Sequence, residues 1–308
     1  MRGALQQPGE CITVSPMSTK HPIIVITGSS GSGSNKVSDV FSHIAWREKI
    51  QHLIVSGSAF HRYERDEMVQ QVEQACADGR YLSHFSPEGN QLDLLQDLFR
   101  EFSTDGTGNY RHYLHTEEQA LEFNQAVGSF TPWEPIPEDV DLLVYQGLHG
   151  AFVSDDIDIS RYADLTLGVT PIVNLEWIQK IHTDIKNRGY TLDAVRSAIQ
   201  HRLHDYVHYI TPQFSNTDIN FQRIPLVDTS NPFDARDVPL NDESMVVISF
   251  KEPKDHDFTY LLERIEGSFM SRRNCLVVPG GKMEYAMEML LNPLVHEMME
   301  RRRQAQEI

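Results

Sequence analysis

The stretch His21–Lys36 constrains the fold more than any other part of the chain; it reads His-Pro-Ile-Ile-Val-Ile-Thr-Gly-Ser-Ser-Gly-Ser-Gly-Ser-Asn-Lys. The apolar, β-branched run Ile23–Ile26 predicts a buried strand that ends in a glycine-rich turn. Val37, Val40, Phe41 and Ile44 then recur at helical spacing. Strand, glycine loop and helix in that order aim backbone amides and a helix N-terminus at an anion, which makes a phosphate cradle. The full pattern sets a second glycine after the first and follows it with Lys and Ser/Thr. Gly28 and Gly33 keep the glycine spacing and Gly31 lies between them, but Ser34 holds the lysine position. Asn35 holds the position whose hydroxyl would meet magnesium. An ordinary glycine-rich βα turn could give the same spacing, and the placement of the glycines between strand and helix favours the cradle. The candidate nucleotide-binding residues are therefore Gly28, Ser29, Ser30, Gly31, Ser32, Gly33, Ser34 and Asn35.

A chain of 308 residues with 40% hydrophobic and 23% charged residues has ample material for a globular core. No apolar run approaches the roughly 20 residues of a membrane span. The net charge of −17 argues against nucleic acid or an anionic membrane surface as partner. An anionic substrate would need a local basic pocket. Cys11, Cys76 and Cys275 are too few and too scattered for a disulfide framework or a zinc site, which suits a reducing cytoplasm. Residues 1–16 lack the apolar core of a signal peptide and read as a disordered extension. Met17 reads as an alternative start, and 17–308 as the folded unit.

Along the chain, strands are expected at His52–Val55, Asp141–Tyr145, Leu165–Val173, Ile224–Val227, Met245–Phe250 and Cys275–Val278. Helices are expected at Arg65–Ala77, Leu92–Phe102, Glu176–Lys186, Leu192–Tyr209, Phe258–Ile265 and Lys282–Arg301, the last burying Tyr285, Met289 and Leu290. Alternating strands and helices predict an α/β fold: a mixed, mainly parallel sheet with helices on both faces. Ligands then belong at the C-terminal ends of the parallel strands, where Gly57–Tyr63 and Gln146–Gly150 lie.

The glycine loop does not stand alone. The chain also carries Gly57-Ser-Ala-Phe-His-Arg-Tyr-Glu-Arg65, His84-Phe-Ser-Pro-Glu-Gly-Asn90 and Tyr145-Gln-Gly-Leu-His-Gly150. Further on come Asn174-Leu-Glu-Trp-Ile-Gln-Lys180 and Val227-Asp-Thr-Ser-Asn-Pro-Phe233. Together these resemble bacterial phosphoribulokinases, from about Met17 to the C-terminal helix. The resemblance implies a nucleoside-monophosphate-kinase-like P-loop fold and a large homo-oligomer, an octamer. It also implies transfer of the γ-phosphoryl group of ATP, with Mg2+, to the 1-hydroxyl of ribulose 5-phosphate. By the same resemblance His61, Arg65, Arg111 and His115 meet the sugar phosphate, while Lys180, Asp184 and Arg188 belong to a mobile helix that closes over the transferred phosphate. Arg47, Arg236 and Arg272 fall at arginines associated with effectors, NADH as activator and AMP as inhibitor in bacterial members.

Where the chain departs from the family pattern, the departures fall on the transfer centre. The family's catalytic aspartate is replaced by Ser58, and a serine hydroxyl is no base near neutral pH, so general-base help worth roughly 10²–10⁴-fold should be missing. The family's metal-site glutamate is replaced by Gln146. Asn35 loses a hydroxyl, though its amide oxygen could still ligate the metal, and Thr183 stands where the family has an arginine. Glu64, Asp66 and Glu67 lie near Ser58 in sequence, and nothing in the spacing singles one out as a substitute base. The readings that follow are a slow or impaired phosphoribulokinase, a pseudokinase that binds nucleotide or sugar phosphate as a regulatory subunit or beside an active paralogue, and a kinase of another sugar phosphate.

Overall fold

The structure, a computed structural model, describes residues 20–28, 34–188, 191–234 and 237–307, without the side chains of 34–36, 171 and 186–188. The sequence expectations for residues 1–16 and for the glycine-loop residues 29–33 lie outside these.

Strand β1 (Ile23–Thr27) sits inside an eight-stranded sheet, between β5 (Leu142–Gly147) and β6 (Leu165–Pro171), parallel to both. On one flank β2 (His52–Ser56) pairs parallel with β5; on the other, β7 (Ile219–Pro225) pairs parallel with β6. Beyond β7 the sheet turns antiparallel through β8 (Ser244–Phe250), β10 (Cys275–Pro279) and the edge strand β9 (Phe269–Arg272). A separate two-stranded ribbon joins β3 (Asn109–Tyr110) and β4 (Glu134–Pro135). The expected mixed, mainly parallel α/β sheet is what the chain forms.

Every residue of β1 is buried because both faces of the strand are covered, as an apolar run in a parallel sheet requires. Ile24 and Ile26 face Val37, Phe41 and Ile44 of α1 (Ser34–Glu48), together with Met287, Leu290 and Leu291 of α8 (Met283–Gln306). Ile23 and Val25 face Leu95, Leu98, Phe99 and Phe102 of α3 (Leu92–Asp105). The remaining helices are α2 (Arg65–Ala77), α4 (Glu117–Phe123), α5 (Val173–Arg188), α6 (Leu192–Asp205) and α7 (Phe258–Arg264).

Three sequence expectations need correction. The strand expected at Ile224–Val227 is Ile219–Pro225; its alternating polar residues Asn220, Gln222 and Arg223 hid it, and Leu226 and Val227 are exposed. The helix expected from Glu176 begins at Val173, so the preceding strand ends at Pro171. Tyr285 is 43% exposed, because it lies off the face of α8 that buries Met283, Met287, Leu290 and Leu291.

Parallel pairing lines up the strand ends. Ser56 pairs with Gln146, and Gln146 with Ile26. Gly57 and Gly147 pass close to one another there, with the buried Tyr145 ring beside them. A Cβ on Gly147 would lie 2.7 Å from Cα of Gly57 and overlap the Tyr145 hydroxyl. Gly147→Ala is therefore expected to destabilise the protein by about 1–3 kcal/mol, the usual cost of overpacking. The measurement is the urea midpoint against the unsubstituted chain; an unchanged midpoint would mean that the strand ends yield freely.

Candidate active site

The C-terminal ends of β1, β2, β5 and β6 converge on one edge of the sheet, as expected for the ligand side of an open α/β sheet. Gly28 closes β1 there, its amide donating to the Gly147 carbonyl at 3.0 Å. Ser34 and Asn35 open α1, so the N-terminus of that helix faces the same edge. The expected nucleotide contacts of Ser29, Ser30, Gly31, Ser32 and Gly33 lie outside the described residues, as do the side chains of Ser34 and Asn35.

Ser58 follows β2 in a single 3-10 turn, Gly57–Phe60, capped by Ser56. Its hydroxyl lies 2.8 Å from Ser56 Oγ and 3.1 Å from Nε2 of His115. Gln146 ends β5 with its amide oxygen accepting the Ser38 hydroxyl at 2.6 Å. Ser58, in the turn after β2, and Gln146, near the end of the adjacent β5, thus stand close to the same strand ends. Ser38 and Ser56 went unremarked in the sequence, although Ser38 lies one helical turn beyond Ser34 and Ser56 is the last residue of its strand.

Three of the expected sugar-side residues gather round this turn. His61 is buried, with Nδ1 3.0 Å from Asn90 Oδ1, and packs on the rings of His84 and Tyr113 at 4.1 and 5.6 Å. Arg111 lies between the rings of Phe130 and Trp133. It donates to the carbonyls of Ala59 and His61 at 2.8 and 3.0 Å and to Gln91 Oε1 at 3.0 Å. Its burial lowers the guanidinium pKa to about 10. Arg111 therefore holds the Ser58 turn from beneath. Arg65, the fourth, begins α2 and donates to the His115 carbonyl at 3.2 Å. His115 itself is exposed.

On α5, Lys180 pairs with the buried carboxylate of Asp184 at 2.5 Å, and Thr183 is exposed. The Arg188 side chain lies outside the described ones. Of the expected effector arginines, Arg47 spans from α1 to α8, donating to Glu288 at 2.6 Å and Asn292 at 2.5 Å. Arg272 is exposed on the edge strand β9, across the sheet from β2, and Arg236 lies outside the described residues.

Among the described residues the donor set fits a resident magnesium ion poorly. Mg2+ favours carboxylate oxygens and water, whereas the amide oxygen of Gln146 already accepts from Ser38. Among the described residues no group of three or more His, Cys, Asp or Glu side chains is arranged to hold a metal.

Beneath the sugar side lies a neutral histidine layer. Burial pushes His61 and His149 down to about 4 and His84 to about 2 from 6.5. His149 Nε2 donates to the Phe85 carbonyl at 2.9 Å, while buried Nδ1 of His84 has no hydrogen-bond partner. Asp164, which accepts the Ile23 amide at 2.7 Å, runs the other way: burial raises it to about 7 from 3.8. Between about pH 4 and 6.5 the unfolded chain takes up three histidine protons that the folded chain refuses, and releases one that Asp164 keeps. The net is two protons, so these groups should lower stability by roughly 3 kcal/mol per unit of falling pH. Urea midpoints across that window check this. His149→Gln keeps a donor for the Phe85 carbonyl and should flatten the slope by about one proton.

Comparison with known proteins agrees with this geometry. Residues 23–230 match the model of the "Phosphoribulokinase / Uridine kinase family". The chain is 52% identical over 290 residues to the chromosomal phosphoribulokinase of Cupriavidus necator, covering 94% of this chain and 99% of that one. It is 48% identical over 284 residues to a probable phosphoribulokinase of Escherichia coli, covering 92% and 98%. Among solved structures, phosphoribulokinase from Rhodobacter spheroides superposes with a TM-score of 0.85 at 47% identity, covering 92% of this chain and 99% of that one. The strand-end site accordingly sits in a bacterial-type P-loop kinase fold, and the chain belongs to the phosphoribulokinase family.

Proposed function

We propose that this protein binds ribulose 5-phosphate and ATP and carries out the family's phosphoryl transfer slowly. One observation carries the reading: the sugar-side residues are assembled round a turn whose central group is the hydroxyl of Ser58. Phosphoryl transfer is mainly positioning and electrostatics. The scaffold for positioning persists in Arg111, His61, Arg65 and His115. What has gone is charge, because a hydroxyl replaces the base at Ser58 and an amide replaces the metal-site carboxylate at Gln146. Magnesium would then arrive with the nucleotide, held chiefly by its phosphates and water. Lys180 and Asp184 belong, in this reading, to the helix that closes on the transferred phosphate, with Arg188 beyond them.

A pseudokinase that binds nucleotide or sugar phosphate, as a regulatory subunit or beside an active paralogue, is the second reading. It is favoured by the Ser38–Gln146 hydrogen bond, a neutral contact where the family places a metal-binding carboxylate. A kinase of another sugar phosphate would keep the same basic pocket, and a screen of sugar phosphates separates it. The proposal includes a cytoplasmic homo-oligomer. An effector response to NADH or AMP through Arg47 would have to displace its contacts to Glu288 and Asn292.

The test is coupled ADP release with ribulose 5-phosphate and MgATP, beside calorimetric titration of each ligand. Ser58→Asp with Gln146→Glu should raise kcat by about 10²-fold or more while changing sugar-phosphate affinity little. Turnover of order 1–100 per second by the unsubstituted protein, ordinary for kinases, would overturn the impaired reading. Failure to bind ribulose 5-phosphate would overturn the substrate assignment.

A further inference from the structure

The Ser58 hydroxyl lies between two partners of unequal chemistry. Ser56 Oγ, 2.8 Å away, is no base near neutral pH; His115 Nε2, 3.1 Å away, belongs to an imidazole, whose ordinary pKa of about 6.5 suits proton transfer. The protein fixes where that ring points. The His115 amide donates to Gln119 Oε1 at 2.8 Å, its carbonyl accepts from Arg65, and its ring packs against Tyr113 at 4.8 Å. Gln119 is itself set by the capping box with Thr116 that starts α4. His115 is also exposed, so an imidazolium formed there can return its proton to water. Glu64, Asp66 and Glu67, the carboxylates nearest in sequence, sit where α2 begins, and none of them makes a hydrogen bond to the Ser58 hydroxyl.

We infer that Ser58 and His115 form a proton relay that stands in for the missing carboxylate, with Ser58 touching the reacting sugar hydroxyl and His115 as the terminal acceptor. This rests on the slow-kinase reading above. As the sugar oxygen bonds to the terminal phosphorus of the nucleoside triphosphate, its proton passes to Ser58 Oγ while the Ser58 proton passes to Nε2. The bond from that phosphorus to the bridging oxygen breaks, and its electron pair leaves with the nucleoside diphosphate. The relay requires the His115 tautomer with the proton on Nδ1. Charged groups on the neighbouring elements include Arg65 of α2, Arg111 just after β3, Glu64 beside Arg111, and Glu117 and Glu118 at the start of α4. His61 and His84 add only neutral rings above about pH 5.

The experiment measures kcat from about pH 5.5 to about pH 9, a span that brackets the imidazole pKa. It compares the unsubstituted protein with His115→Gln, Ser58→Ala and the pair Ser58→Asp with His115→Gln. Calorimetry gives the ribulose 5-phosphate Kd of each. The unsubstituted kcat should fall on the acid side with one ionisation. His115→Gln and Ser58→Ala should each lower kcat by about 10²-fold and remove that acid limb, with Kd moving less than about threefold. Ser58→Asp should restore turnover in the His115→Gln background, which a purely structural role for His115 would not allow. Ser58→Ala breaks the relay without touching His115, so the test survives if His115→Gln does not fold. A weakened Kd with kcat and the acid limb intact would overturn the relay and leave His115 as a sugar-phosphate ligand. Absent turnover with both ligands bound would also overturn it, leaving the pseudokinase reading; absent ribulose 5-phosphate binding would instead defeat the substrate assignment.

Discussion

The site depends on the near-contact of Gly57 and Gly147 beside the Tyr145 hydroxyl. Parallel strands bring their ends level, but level ends are not yet adjacent groups, because the side chains that follow must leave in the right direction. With no Cβ on either glycine, the β2 and β5 ends close together, and Ser58 and Gln146 leave the sheet on neighbouring strands. The Tyr145 ring fills the space beneath, where burial raises its phenol pKa. A close backbone approach of this kind is one of the few demands that only glycine meets.

In a chain of net charge −17, Arg65 stays exposed beside the candidate site, while other cations there are already engaged. Arg111 is spent on backbone carbonyls and two aromatic faces, and Lys180 on Asp184. The histidines beneath are kept neutral by burial. In the proposed reading a sugar phosphate would meet directed, short-ranged hydrogen bonds there, which resist salt better than long-range steering does.

Much of the fold was legible in the sequence. The β-branched run before the glycine loop, the exact extent of α2 and the apolar period of α3 all carry their structure locally, through periodicity and caps. β7 was misplaced because a strand that buries only Ile219 and Phe221, with Asn220 between them and Gln222 and Arg223 after, lacks a continuous apolar run. α4 was missed although Thr116 and Gln119 spell its capping box. The site residues Ser58, Gln146, His61 and His115 were legible by motif. Their pairing was not: that His115 meets Ser58 across 57 residues, or that Ser38 meets Gln146, follows from register and loop packing, which no local pattern encodes.

Arg47 joins the last turn of α1 to Glu288 and Asn292 of α8. The first turn of α1 follows the glycine loop in sequence, and α8 packs along the same face of the sheet. The antiparallel half of the sheet contributes no strand end to the site. It is joined to β1 through the continuous ladder of β8, β7 and β6, and through α8, which this clip ties to α1. Loosening the clip would remove a polar tie between the two helices while leaving the strand ladder and their shared apolar packing in place.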